Sequence, residues 1–218
     1  MVKIIYFGIP GRAEVARLAL AIGKIEHEDK RVDFEEWQKL KQEGWAPFGQ
    51  LPVLEVDGNY LAQSAAIDRY VAQRAGLLPS DPWKAALADQ AYFFCEDLWQ
   101  TLYPSFKIKD AEEKVKARQE LLAGPLADKL KLLSKVLESR AGKFLTGDEL
   151  SHGDLAVFCN LSTLQSGWLD GIPKDMLKDY PVLKEFRNAV AGVPEIAAFY
   201  ADAKNNDDIR STGFRADA

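Results

Sequence analysis

Residues 48–67 read FGQLPVLEVDGNYLAQSAAI. Within this run, residues 52–56 form a short apolar strand, Asp57-Gly58 supplies the two central residues of a tight hairpin, and residues 59–63 return. Ser64 then caps a helix whose apolar residues Ile67, Tyr70 and Val71 recur at helical spacing. A helix that opens beside Gln63 and Ser64 offers free N–H groups, the positive end of its dipole and a hydroxyl, a natural seat for a carboxylate. The same local pattern also describes an ordinary capped helix after an ordinary hairpin. Such helices far outnumber anion sites, so local pattern by itself favours the plainer reading.

On the amino-terminal side, residues 2–7 form a β-rich opening. Gly11-Arg12-Ala13-Glu14 leads into a helix with Val15, Leu18, Ala19 and Ile22 on one face. A second strand is predicted near residues 28–32 and a short helix over 35–42. On the carboxyl side, Gly76 ends the helix as a residue of left-handed conformation would, and residues 77–83 read as a linker. Beyond it the strand signals stop. Residues 84 to about 204 read as successive amphipathic helices, roughly 84–104, 111–140, 152–169, 181–191 and 194–203. Pro125 should kink or divide the second, and Pro194 sits where a helix start tolerates proline. The tail from residue 205 onward is polar apart from Phe214 and is expected to drape over the domain or hang loose. Ser151 and Asp154 have the spacing of a capping box at the head of a helix.

The 218 residues allow one large domain or two modest ones. A net charge of -5 argues against a nucleic-acid partner, which demands concentrated Lys and Arg. The basic residues between 129 and 135 alternate with leucines and read as the wet face of a helix. No stretch approaches the roughly 18 consecutive apolar residues that a membrane span requires, so no membrane association is expected. The opening strand is too soon interrupted at Gly8 for a signal peptide. Cys95 and Cys159 lie far apart on helical patterns, as expected of a reduced, cytoplasmic protein. Two histidines, His27 and His152, leave little for a His-rich metal site.

The run F-G-Q-L-P-V-L-E-V-D-G followed by L-A-Q-S-x-A-I closely resembles the glutathione-binding half of the cytosolic glutathione S-transferases, with wording most like the sigma class. The segment around Ser151-His-Gly-Asp154 resembles a buried helix start in the carboxyl-terminal domain of that family. The resemblance covers nearly the whole chain and is strongest over residues 6–71. It implies an α/β thioredoxin-like domain over residues 1–76, matching the order β-α-β-(α)-β-β-α, and an all-helical domain over 84–218 that contributes the electrophile pocket. It further implies glutathione as co-substrate, a hydrophobic small-molecule electrophile as second substrate, and a homodimer.

Glutathione is a thiol tripeptide that reacts as its thiolate. An alkyl thiol titrates near or above about 8.5, and each unit of lowering asks for about 1.4 kcal/mol of selective anion stabilisation. One well-placed hydroxyl in a partly dry site supplies energy on that scale. Tyr6 closes the first strand, and Tyr6-Phe7-x-x-x-Gly11-Arg12-Ala13-Glu14 has the spacing of the tyrosine-type transferases; the resemblance makes Tyr6 the donor and Arg12 its support. Taken without it, Tyr6 is a half-buried strand aromatic and Arg12 a surface residue. Gly8 stands where the family usually has Asn, and Pro10 where a longer residue is common, departures that bear on acceptor selectivity. The turn holds no cysteine, which argues against disulfide exchange.

Trp37 and Lys41 are four apart on a helix and share a face. Spacing alone reads as a core Trp beside a solvated Lys; the resemblance makes them the clamp for the glycine carboxylate. It also implies a cis bond between Leu51 and Pro52, with the Leu51 backbone pairing with the peptide like an added strand. Gln63 and Ser64 would hold the γ-glutamyl carboxylate, Gln50 would line the same groove, and Asp97 would reach the ammonium from the other subunit. As a surface helix charge Asp97 is equally well explained. The electrophile pocket would draw on Ile9, Gly11, Arg12, Trp99, Ala156 and Asn160. Ala156 and Pro104 depart from the prostaglandin-isomerising sigma relatives, and Phe93 replaces an acid of their interface metal site, so no metal is expected. Competing readings are a glutathione-dependent isomerase and a non-catalytic, crystallin-like relative. The absence of G-x-G-x-x-G after the first strand and of G-K-[ST] argues against nucleotide binding.

Overall fold

A computed structural model describes residues 1–217. The chain divides into two units, Met1–Pro79 and a second that begins at Ser80. The first contains β1 (Val2–Phe7), α1 (Glu14–Ile22), β2 (His27–Val32), α2 (Phe34–Gln42), β3 (Val53–Val56), β4 (Asn59–Ala62) and α3 (Ser64–Ala75). The sheet order is β2-β1-β3-β4. β1 runs parallel to β2 and antiparallel to β3, and β3 pairs antiparallel with β4.

β1 is buried on both faces, as a central strand carrying Ile4, Ile5 and Tyr6 must be. Ile5 joins Val32, Trp37, Ala46, Val53 and Ala62 in one apolar cluster. Asp33 caps α2 by accepting from the Glu36 amide at 2.8 Å, with Glu35 and Glu36 at its positive end and Lys39 and Lys41 at its negative end. Asp57 and Gly58 both have positive φ, as the tight hairpin requires. Gly76 ends α3 in the left-handed conformation.

Two local expectations are corrected. β3 and β4 stop short of Pro52 and Gln63, because proline has no N–H for the ladder and Gln63 turns to φ 73°. Ser64 is not the cap of α3 but its first residue. Gln63 holds the cap position without a side-chain bond, so the Ser64 hydroxyl is engaged elsewhere.

The second unit is helical: α4 (Pro82–Phe106), α5 (Ala111–Ala123), α6 (Pro125–Glu138), α7 (His152–Leu164), α8 (Pro181–Ala191), α9 (Pro194–Ala201) and α10 (Asp208–Gly213). Asp81 caps α4 through the Lys84 amide, with Pro82 in the first turn. Pro125 divides the long 111–140 pattern into α5 and α6, as its sequence position predicts. α7 ends at Leu164, short of the expected 169. It is buried nearly all round, the mark of a helix at a core rather than on a surface.

The tail is not loose. α10 packs on α7, and Phe214 is fully buried with ring centroids 5.8 Å from Phe158 and 5.3 Å from Tyr200. The buried Arg187 donates to the carbonyls of Gly213 and Arg215 and pairs with Asp217 at 3.1 Å. One aromatic in a polar run gave little periodic signal, and its anchors lie far away in sequence. Both cysteines are buried, and burial pushes the Cys95 thiol up. Among the described residues, no helix is long and apolar enough to cross a membrane, and no His, Cys, Asp and Glu group is arranged to hold a metal.

The capping box is formed. Asp154 accepts from the Ser151 amide at 2.7 Å and also from the Leu145 amide at 2.8 Å, which ties the preceding loop to the head of α7. Burial lifts its carboxyl from 3.8 to about 6, against the lowering effect of these bonds. A native group that holds its proton more tightly than the unfolded chain contributes stability at low pH and loses it as pH rises. The stability gap between wild type and the non-titrating Asp154→Asn should therefore shrink between roughly pH 4 and 6, by up to about 1.4 kcal/mol per unit, and level off above. Urea unfolding across that range checks this, and a gap independent of pH would exclude it.

Candidate active site

Tyr6 lies at the carboxyl end of β1, buried, in register with Arg31 of β2. One residue on, the chain leaves the sheet and turns through residues 8–11 into a short 3-10 turn, Gly11–Ala13. Gly11 has φ +47° and passes so close to the tyrosine that a Cβ there would sit 2.7 Å from Oη. Glycine is required on both counts. The Arg12 amide donates to Tyr6 Oη at 3.2 Å. A phenol that accepts such a bond is polarised and becomes a stronger donor.

The exposed Arg12 side chain reaches across to α3, where Nη1 donates to Ser64 Oγ at 3.3 Å. Tyr6, Gly11, Arg12 and Ser64 thus form one continuous chain of contacts, joining residues 58 positions apart in sequence. Ser64 is buried at the first turn of α3, and Gln63 beside it is exposed. The helix start, the serine and the guanidinium give this spot a positive potential and several donors.

The second cluster lies along α2 and residues 49–52. Trp37 is a core residue, only 6 % exposed, with its ring edge-on to Trp45. Lys41, one turn on, is exposed. Its Cε lies 3.4 Å from the position a Gly49 Cβ would take, which lays the lysine stem over the segment before Pro52. Gln50 is exposed, Leu51 packs against the apolar cluster, and the Leu51–Pro52 bond is cis. Ile9 is exposed on the turn after β1.

The remaining sequence-predicted residues belong to the second unit. Asp97 is exposed on α4 in the wall of a groove of about 420 Å³ lined by Phe93, Phe94, Leu132, Leu133 and Val136. Trp99 stacks on Tyr103, with Phe106 and Trp168 continuing the row of rings. Ala156 is buried in α7 and its carbonyl takes the Asn160 amide at 2.7 Å, while Asn160 Oδ1 is buried without a partner.

Sequence reasoning missed Arg17. It falls outside the apolar stripe of α1 and forms an i, i+3 pair with Glu14, the usual look of a solvated face. Both residues are fully buried.

Residues 2–73 match the family model described as the glutathione S-transferase N-terminal domain, and residues 96–203 the model described as its C-terminal domain. The chain is 34 % identical over 213 residues to Glutathione S-transferase 4 of Caenorhabditis elegans, covering 94 % of this chain and 97 % of the relative. It is also 34 % identical over 197 residues to hematopoietic prostaglandin D synthase of Gallus gallus, covering 90 % and 94 %. Among solved structures, the crystal structure of the glutathione S-transferase from Ascaris lumbricoides superposes with a TM-score of 0.80 at 34 % identity, covering 92 % of this chain and 96 % of that one. With both domains matched and relatives this similar over nearly their full length, the chain belongs to the glutathione S-transferase family.

Proposed function

We propose that the chain is a tyrosine-type glutathione transferase of sigma-class character, acting in the cytoplasm to join the glutathione thiolate to hydrophobic electrophiles and to reduce peroxides. The observation that carries this reading is the contact chain Tyr6–Gly11–Arg12–Ser64. Tyr6 donates to the glutathione sulfur and favours its ionised form, and Arg12 steadies the charge. Gln63 and Ser64 take the γ-glutamyl carboxylate at the start of α3. Lys41, with the indole N–H of Trp37, takes the glycine carboxylate. Leu51 pairs with the peptide backbone, beside Gln50 and Pro52. Ile9, Gly11, Trp99, Ala156 and Asn160 are assigned to the electrophile. Positioning together with thiolate stabilisation carries the rate, without a covalent enzyme intermediate.

The active species is a homodimer in this reading. Phe93 and Leu132 are 57 % and 51 % exposed in the groove that also holds Asp97, an apolar surface that a second copy would cover while bringing Asp97 to the γ-glutamyl ammonium. A second reading, a glutathione-dependent isomerase, is favoured by the likeness to the chicken prostaglandin D synthase. Turnover of prostaglandin H without turnover of electrophiles would select it.

Conjugation of glutathione to an aryl halide tests the main reading. Tyr6→Phe should retain binding to immobilised glutathione and lose about 10²–10³ in kcat, the scale for removing one anion-stabilising donor; equal rates for variant and wild type would sink the tyrosine assignment. Gly11→Ala should fold yet displace the Tyr6 hydroxyl, lowering kcat by at least about tenfold, with a wild-type rate counting against the contact chain. Leu132→Glu should convert a dimer of the 24.3 kDa chain to monomer on light scattering and weaken glutathione binding along with it. Monomers with undiminished affinity would remove Asp97 from the partner's site.

A further inference from the structure

Arg17 sits in α1, fully buried, and its guanidinium spends its donors on the turn that follows β1. Nη2 donates to the Phe7 carbonyl at 3.0 Å, and Nη1 donates to the carbonyls of Ile9 at 2.8 Å and Pro10 at 3.4 Å. Nε is held by Asp29 Oδ1 at 3.1 Å, whose other oxygen takes Arg31 at 2.8 Å. Burial works against the Asp29 charge, but the two arginines outweigh it and hold the carboxyl below its usual value. Glu14, also fully buried, lies 3.4 Å from Nη1. The cation further faces the Tyr6 ring, 5.7 Å from its centroid.

These contacts converge on one feature. Three carbonyls between Phe7 and Pro10, at the end of β1 and in the turn that follows, point at one planar fork, and that turn ends at Gly11, whose backbone brushes the Tyr6 hydroxyl. We infer that Arg17 is a positioning residue: by gripping the Phe7, Ile9 and Pro10 carbonyls it fixes the course of the turn and so sets Tyr6 Oη against the Arg12 amide. Its charge, held over the phenol ring, further favours hydrogen-bond donation from the hydroxyl. The effect on catalysis rests on the transferase reading above; the effect on the turn does not. A lysine cannot replace it, since an ammonium lacks the fixed planar spread of donors that spans three carbonyls and a carboxylate.

Arg17→Lys, which keeps the charge and loses the fork, is tested with two readouts. In conjugation of glutathione to an aryl halide, kcat should fall about 10–100-fold, the cost of a displacement on the order of an ångström. KM for glutathione should move less than roughly threefold, because the carboxylate contacts are elsewhere. The acid limb of the pH–rate profile should move upward, as a less well-stabilised thiolate demands. In hydrogen exchange, amides of residues 7–13 should exchange at least about tenfold faster while those of α7 are unchanged. A folded variant with wild-type kcat, acid limb and exchange overturns the inference. Wild type inert toward electrophiles would instead sink the transferase reading, and exchange over residues 7–13 would then decide the role of Arg17 alone. If Arg17→Lys does not fold, Asp29→Asn, which weakens the Nε contact and leaves the three carbonyl contacts in place, should move both readouts in the same direction by a smaller factor; unchanged readouts there also overturn the inference.

Discussion

β1 is the central strand of its sheet, bonded along both edges and covered on both faces, and the chain must leave its carboxyl end without exposing the core. The backbone carbonyls of that exit sit where water does not reach them all, and buried carbonyls left unpaired are costly. Arg17 meets the requirement from within α1 by donating to three of them. The placement of Gly11 and Arg12 follows from that course, and with it the surroundings of Tyr6. The chemistry of the site is therefore hung on a piece of backbone bookkeeping at the end of one strand.

The second unit uses the same device. Arg118 donates to Ser105 Oγ and to the Asp170 carbonyl and lies over the Phe106 ring, and Arg187 gathers the tail carbonyls and Asp217. A buried cation is a net cost unless its donors are used. The planar guanidinium uses several at once, which makes it suited to fixing the path of irregular chain where no ladder of backbone bonds can. The dense contacts of Arg187 explain why a polar tail stays ordered against α7.

Electrostatics at the candidate site are local. The whole chain is acidic, yet Arg12 sits at the amino end of α3 and Lys41 stands exposed over residue 49, two cationic points on the first unit. A tripeptide with two carboxylates meets that arrangement at two separated points. In the proposed reading its sulfur falls near the phenol, where proximity and charge, not a strong protein base, are the means of catalysis.

Much of this was legible in the sequence. Residues 48–67 specified a hairpin and a helix through turn chemistry and periodicity, and the Gly76 and Ser151–Asp154 signals marked helix ends correctly, because caps act within four residues of chain. Other features were not legible. Ser64 reads as a cap by composition, but the positive φ of Gln63 moved the helix start and left its hydroxyl to Arg12, 52 positions earlier. Trp37 and Lys41 share a helix face in sequence, and only the fold shows the ring edge-on to Trp45 in the core beside an exposed lysine. Arg17 and Glu14 carry the pattern of a solvated ion pair, and α1 buries them. Phe214 was the one aromatic of a polar tail that could drape over the domain or hang loose, and its anchors at Phe158 and Tyr200 decide for the first. The sequence by itself determined the elements, their caps and the residue types of the site, since these depend on neighbours along the chain. Only tertiary structure decided which polar groups are buried and what they grip, because the free energy of a buried charge depends on partners that folding brings from far away.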